Sequence, residues 1–297
     1  MTSIIDRDAY PFESHWLKID RGRVHYVDEG QGKDDTIVFV HGTPTWSFEW
    51  RHLISALSSS HRCIALDHLG FGLSDRPRGV PYTPEWHADN FAQFIERLNP
   101  GPFTLVVHDY GWPIAFPFVI AHPELVKRVV IINSWMWSFA GDREMESKGK
   151  IAGSFFGRLL YRWANFSLRV LTPGVYGDRK KLTKQIHRQY LERFTDRWSR
   201  GAVLWPLARA LLRSSAFFDA QWQQRGKLET RPVLIIWGRK DSAFKPHQLA
   251  RWRGTLPSAR VVELPAAGHW PQEEDPEAVL AAITPFVSIP ARAVATR

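Results

Sequence analysis

Phe103-Thr104-Leu105-Val106-Val107-His108-Asp109-Tyr110-Gly111 is the stretch on which the reading of this chain turns. Phe103 to Val107 has the length and the nearly unbroken apolar character of a strand buried on both faces. The residues after Gly111 read as a helix. A strand, a tight turn and a helix in that order put Asp109 at the apex of a sharp bend, and Gly111 removes the Cβ that would crowd it.

Outward from this stretch the same rhythm repeats. Thr36–Val40, His61–Leu66, Val129–Ile132, Val233–Trp237 and Val261–Leu264 read as further buried strands. Val24–Val27 reads as a shorter alternating strand closed by Asp28-Glu29-Gly30. Thr83 is an expected N-cap with Pro84 at the first helical position, followed by a stripe of Trp86, Phe91, Phe94, Ile95 and Leu98. Helices are also expected from Pro246 to about Leu256 and from Pro276 to Phe286. Pro117 is expected to kink the helix that follows Asp109. Strands alternating with helices imply a mostly parallel sheet joined by right-handed crossovers. The rhythm stops between about Trp135 and Lys227, where stretches such as Arg158–Val170 and Lys180–Phe194 read as helical. The expected organisation is one α/β core, residues 1–134 and 228–297, interrupted by a helical cap, residues 135–227. An insertion there would sit above the carboxyl ends of the strands, where open sheets bind ligands. The tail from Val287 to Arg297 is expected to be frayed.

Composition narrows the function classes. The 297 residues are 44% apolar and 23% charged, which excludes a disordered chain and suits one large domain with an insertion. A single cysteine, Cys63, excludes a disulfide framework and a Cys-based zinc site. No apolar run approaches the roughly 20 residues of a membrane span. Met1 to Tyr10 carries Asp6, Arg7 and Asp8 where a signal peptide needs an apolar stretch, so a cytoplasmic protein is expected. The net charge is +9, and residues 143–231 carry 19 Lys/Arg against 7 Asp/Glu. No nucleic-acid motif accompanies that excess, so it reads as a solvated helical face, with neither nucleic acid nor membrane as partner. The 14 tryptophans read mainly as packing.

Ionisable residues end three of the strand loops. Asp109 follows the first, Gly238-Arg239-Lys240-Asp241 follows Val233–Trp237, and Pro265-Ala266-Ala267-Gly268-His269 follows Val261–Leu264. Nucleophile, acid and histidine in this chain order are the arrangement of an α/β-hydrolase. A fourth loop, His41-Gly42-Thr43-Pro44, is placed to supply one oxyanion-hole N–H, that of Thr43, beside the N–H of Tyr110. A carboxylate suits displacement at a saturated carbon bearing a leaving group, where a serine suits acyl transfer. The pattern therefore predicts an ester on Asp109, hydrolysed by water that His269 activates while Asp241 holds the imidazole. No metal or cofactor is required.

The motifs around these loops resemble the haloalkane dehalogenases. The resemblance rests on Thr36–Arg51 with His41-Gly42-Thr43-Pro44-Thr45-Trp46-Ser47-Phe48, on Tyr10-Pro11-Phe12-Glu13-Ser14 leading to Val24–Gly30, and on Asp67-His68-Leu69-Gly70-Phe71-Gly72-Leu73-Ser74. Trp237-Gly238-x-x-Asp241 with Ala243-Phe244-Lys245-Pro246 resembles the subfamilies whose acid follows the later strand. It runs from about Tyr10 to Phe286 and implies a small apolar substrate, a halide product and no cofactor; it leaves the oligomeric state open. In that family the halide is held by two side-chain N–H donors, a tryptophan after the nucleophile and an asparagine after His-Gly or a tryptophan from the cap. Here Tyr110 and Thr43 occupy the loop positions, and Trp135, Trp137 and Trp163 are the cap candidates. Trp112 stands where glycine is common and is expected to reshape the pocket floor. Epoxide hydrolases, which use cap tyrosines (candidates Tyr161, Tyr176 and Tyr190), and β-lactone decarboxylases share the same nucleophile. A non-catalytic module binding an apolar ligand is the remaining alternative.

Overall fold

The computed structural model describes residues 5–288. Eight strands form one sheet: β1 (His15–Ile19), β2 (Gly22–Glu29), β3 (Thr36–Val40), β4 (Arg62–Leu66), β5 (Phe103–His108), β6 (Val126–Ile132), β7 (Val233–Gly238) and β8 (Arg260–Leu264). Their spatial order is β1-β2-β4-β3-β5-β6-β7-β8. β2 runs antiparallel to both β1 and β4, and every pairing from β4 to β8 is parallel. The fold is that of an α/β hydrolase, as the strand rhythm implies. β1 has no counterpart in the sequence pattern. It is an edge strand with partly exposed residues on both faces, so it lacks the apolar run that marks the inner strands.

All residues of β3, β5 and β7 are buried, which is why these segments read as continuous apolar runs. Cys63 in β4 is part of this packing, and burial pushes its thiol up to about 12. From β3 the chain steps to β4 through helix α1 (Arg51–Leu57). It then reverses, crossing through α2 (Pro84–Leu98) to β5 and through α3 (Gly111–Ala121) to β6. With right-handed crossovers, the reversal sends α1 to one face of the sheet and α2 and α3 to the other. α1 accordingly packs with the helix Pro276–Val287, and α2 with α3. The carboxyl ends of β3 and β5 flank this switch, so a crevice opens between their loops.

Local signals hold. The Thr83 side chain accepts from Trp86 N, with Pro84 in the first turn of α2. Pro117 lies inside α3, which remains one helix. A proline at this position has no N–H for the Pro113 carbonyl. The side-chain amide of Gln221, from outside the sheet domain, donates to that carbonyl at 2.7 Å instead.

Among the described residues, the segment between β6 and β7 contains helices and no strand. Arg158–Val170 is not one helix: Phe155–Leu159 is followed by wide i→i+5 turns at Leu160–Ala164 and Ser167–Leu171, separated at Asn165 in the left-handed region. Lys180–Phe194 is likewise divided, with its longest piece at Lys184–Leu191. No helix among the described residues is long and apolar enough to cross a membrane. Val287 closes the last helix and is buried; the rest of the tail expected to fray, from 289 to 297, lies outside the described residues.

Candidate active site

The bend after β5 places Asp109 with φ +50°, in the left-handed region that aspartate enters more readily than bulky residues. Its backbone is fixed from both sides: Asp109 N donates to Asn133 O at 3.2 Å, and Ser134 Oγ donates to Asp109 O. Two glycines let neighbouring backbones approach. A Cβ on Gly111 would lie 2.2 Å from Val40 O, and one on Gly42 would lie 2.3 Å from Asp109 Oδ1. Sequence reasoning found the first of these and missed the second.

The carboxylate of Asp109 meets two groups. Thr43 N donates to Oδ1 at 2.9 Å, and His269 Nε2 lies 3.5 Å from Oδ2. On the other side of the imidazole, His269 Nδ1 is 2.8 Å from Asp241 Oδ2. The structure thus brings Asp109, His269, Asp241 and Thr43 together, and Tyr110 N lies in the same crevice, against Gly42.

The acid is held by a dense set of donors. Asn133 Nδ2 donates to Asp241 Oδ2 at 2.7 Å, and the N–H groups of Ala243 and Phe244 donate to Oδ1 at 2.6 and 3.0 Å. Asn133 Oδ1 in turn accepts from Gly238 N at 2.8 Å. Asn133 directly follows β6, and no local sequence pattern marks it. The histidine loop is fastened to the helical segment: His269 N donates to Val175 O, and Glu274 accepts from Gly268, Gly177 and Asp178 N–H groups. Beneath the imidazole, His108 Nε2 contacts His269 O at 2.8 Å while its Nδ1 lies 3.3 Å from the buried Glu49. Neither Glu49 nor His108 carries a sequence signal beyond burial of a charged residue.

Electrostatics follow from this packing. Burial alone would lower the imidazolium of His269, but Asp241 and Asp109 on either side hold it up to about 10. Burial alone would raise Asp109, yet His269, His108 and the Thr43 N–H keep its carboxyl below the usual range. Both shifts favour an anionic Asp109 beside a protonated His269.

Asp109 and His269 open into a cavity of about 580 Å³. Its walls from the core include Thr43, Tyr110, Phe244 and Trp270, and from the helical segment Tyr161, Phe166, Leu204 and Ala208, so the lining is mostly apolar. A depression of about 700 Å³ at the amino ends of the strands, near Lys33, Arg62 and Lys127, holds none of the candidate residues and is walled by polar loops.

The remaining sequence candidates fall differently. Tyr110 lines the cavity, but its hydroxyl donates to Leu207 O at 2.6 Å, so the phenol proton expected for a halide is committed to the helical segment. Trp135 is buried behind Tyr110, ring to ring at 4.7 Å, and Trp137 packs between Trp222 and Trp252. Trp163 is 56% exposed beneath Arg197. None of the three tryptophans lines the cavity. Trp112 does not form its floor either; it is buried against Phe116 and Trp252. Of the three candidate tyrosines from the helical segment, only Tyr161 reaches the cavity. Tyr176 packs on Trp270, and Tyr190 donates to Glu273. Among the described residues no cluster of His, Cys, Asp or Glu has the arrangement of a metal site.

Comparison with known proteins assigns the family. The alpha/beta hydrolase fold family matches residues 35–276. Haloalkane dehalogenase 2 of Mycobacterium tuberculosis is 36% identical over 283 residues, covering 94% of this chain and 96% of the relative. The chain belongs to the α/β hydrolases and is haloalkane dehalogenase-like. This hydrolase is also 33% identical, over 94% of its length and 89% of the relative, to a cis-3-alkyl-4-alkyloxetan-2-one decarboxylase of Shewanella oneidensis. The solved haloalkane dehalogenase DatA of Agrobacterium tumefaciens C58 shares the fold, with a TM-score of 0.83 at 24% identity over 93% of this chain and 96% of that one.

Proposed function

We propose that the hydrolase cleaves the carbon–halogen bond of a small apolar haloalkane through an ester on Asp109, with residues 135–227 serving as the cap over the site. The observation that carries this reading is the Asp109 carboxylate, held by Thr43 N–H on one oxygen and His269 on the other, at the end of an apolar cavity. Asp109 attacks the carbon bearing the halogen; the new C–O bond forms as the carbon–halogen bond breaks and halide departs.

The same geometry times the second step. Alkylation removes the negative charge of Asp109, one of the two charges that keep His269 protonated, and so moves the imidazole toward the range of a general base. His269 then takes a proton from water, which attacks the Asp109 carbonyl. Asp241 stabilises the resulting imidazolium. The oxyanion forms on Asp109 beside the N–H of Thr43 and, across the bend, that of Tyr110. Collapse releases the alcohol and regenerates the carboxylate.

The experiment is bromide release from short and long bromoalkanes, with His269→Gln as the trapping variant. Stoichiometric bromide with wild type, and a single alkyl adduct on the Asp109 peptide of the variant by mass spectrometry, are expected. No bromide and no adduct overturns the reading. One observation favours a second substrate class: the Tyr110 hydroxyl is committed, and among the described residues the buried cavity-lining side chains leave a single unpartnered N–H for a halide, the indole of Trp270. A β-lactone, whose departing carboxylate stays attached to the substrate, places less demand on such donors. Loss of carbon dioxide from a cis-3,4-dialkyl oxetan-2-one without bromide release from any bromoalkane would select it.

A further inference from the structure

We infer that the helical segment docks on an anionic phospholipid surface through the rim of the cavity. Among the described residues, every large apolar side chain that is exposed, apart from Trp16 on the edge strand, falls between Ile151 and Leu171. Phe155 is 72% exposed, Phe156 63% and Trp163 56%. Exposed aromatic side chains gathered in one short segment are the composition of an interfacial anchor and not of an ordinary solvated face.

Charge selects the occupant. Lys148 and Lys150 are paired with Glu144 and Glu146, and beyond them residues 151–177 contain Arg158, Arg162 and Arg169 and no acidic residue. The Arg197 guanidinium sits 4.1 Å over the exposed Trp163 ring, adding a further cation to the same patch. Basic side chains interleaved with exposed aromatics match a surface with negative headgroups above an apolar interior. The reading of this basic excess as a solvated face lacked the aromatic exposure, which only the structure supplies.

The patch is also the way in. Ile151, Val170 and Leu171 are exposed and at the same time line the cavity that holds Asp109. Docked by this rim, the cavity faces the acyl region, and an apolar substrate passes from lipid to the site without crossing water.

The test is sedimentation of the full chain with vesicles of phosphatidylglycerol and phosphatidylcholine, or of phosphatidylcholine alone. Binding to the anionic vesicles is expected, about tenfold or more weaker to the neutral ones, and lost in about 0.5 M salt. Phe155→Ser/Phe156→Ser should weaken it about tenfold, as should Arg158→Glu/Arg169→Glu, while hydrolysis of a water-soluble substrate in buffer is unchanged. Absence of binding to anionic vesicles, equal binding to both compositions, or binding indifferent to both double variants overturns the inference. So does a dimer in analytical ultracentrifugation that the Phe155/Phe156 variant abolishes in a chain that ignores vesicles. Binding is read without turnover, so its failure is separate from failure of the dehalogenase reading.

Discussion

The loops that follow β5 and β7 hold Asp109 and Asp241 with hydrogen bonds from strand ends and from the loops themselves, whereas residues 143–228 line the same cavity with short helices and wide turns. Asp241 is fixed by one amide side chain and two N–H groups, and Asp109 by bonds to both its backbone N–H and its carbonyl. The facing wall is made of side chains such as Phe166, Leu204 and Leu211, which no hydrogen bond aims. On the proposed reading, chemistry that needs a few tenths of an ångström is on the rigid side, and substrate choice is on the side that tolerates change. The two halves are joined by hydrogen bonds such as Tyr110 to Leu207, Gln221 to Pro113, His269 to Val175, Tyr190 to Glu273, and Glu274 to Gly177 and Asp178.

That contrast can be broken most directly at the nucleophile. Asp109→Ala should lower bromide release by at least about a thousandfold while leaving apolar ligand binding in place, because it removes the reacting atoms and no cavity wall. Retention of turnover would move the chemistry elsewhere.

His269 offers a test through stability. Its folded-state pKa is raised from 6.5 to about 10, so the stabilisation it gives is fully present below about pH 6.5 and is lost as pH rises through about 10. Urea denaturation of wild type should therefore show a fall in stability across that window, and His269→Gln should flatten it. An equal slope in both proteins would mean that Asp109 and Asp241 do not hold the imidazolium.

Asn133→Ala sharpens the comparison on the rigid side. It removes the amide bridging Asp241 and Gly238 and should cost about 1–3 kcal/mol in stability. Hydrolysis of the ester should slow more than its formation, so single-turnover experiments should show adduct accumulating. Equal slowing of both steps would make Asn133 a purely structural residue.

The smallest effect is expected at the junction. Tyr110→Phe deletes the bond to Leu207 O and should cost about 0.5–1.5 kcal/mol in thermal denaturation. It should change KM across a chain-length series of bromoalkanes more than kcat. A large loss of kcat would return the phenol to a role at the leaving group.

Much of this was legible beforehand because it depends on local pattern. The buried runs announce β3, β5 and β7, and Asp109, Asp241 and His269 stand out because each ends a loop that follows a strand. Asn133 and Glu49 were not legible, since their importance lies in partners far along the chain. The tryptophans misled in the opposite way. An indole in sequence looks like a donor, and only packing shows that Trp135, Trp137 and Trp112 are committed to ring contacts and Trp163 to the surface.

The sequence by itself determined the sheet and the order of the candidate residues Asp109, Asp241 and His269 along it, because strand periodicity and turn chemistry act over a few neighbouring residues. Tertiary structure alone decided which side chains face the cavity, that the Tyr110 hydroxyl is already engaged, and that the exposed apolar residues Ile151, Val170 and Leu171 line the cavity. Those outcomes depend on how a segment of broken helices settles on the sheet, and no local pattern specifies that.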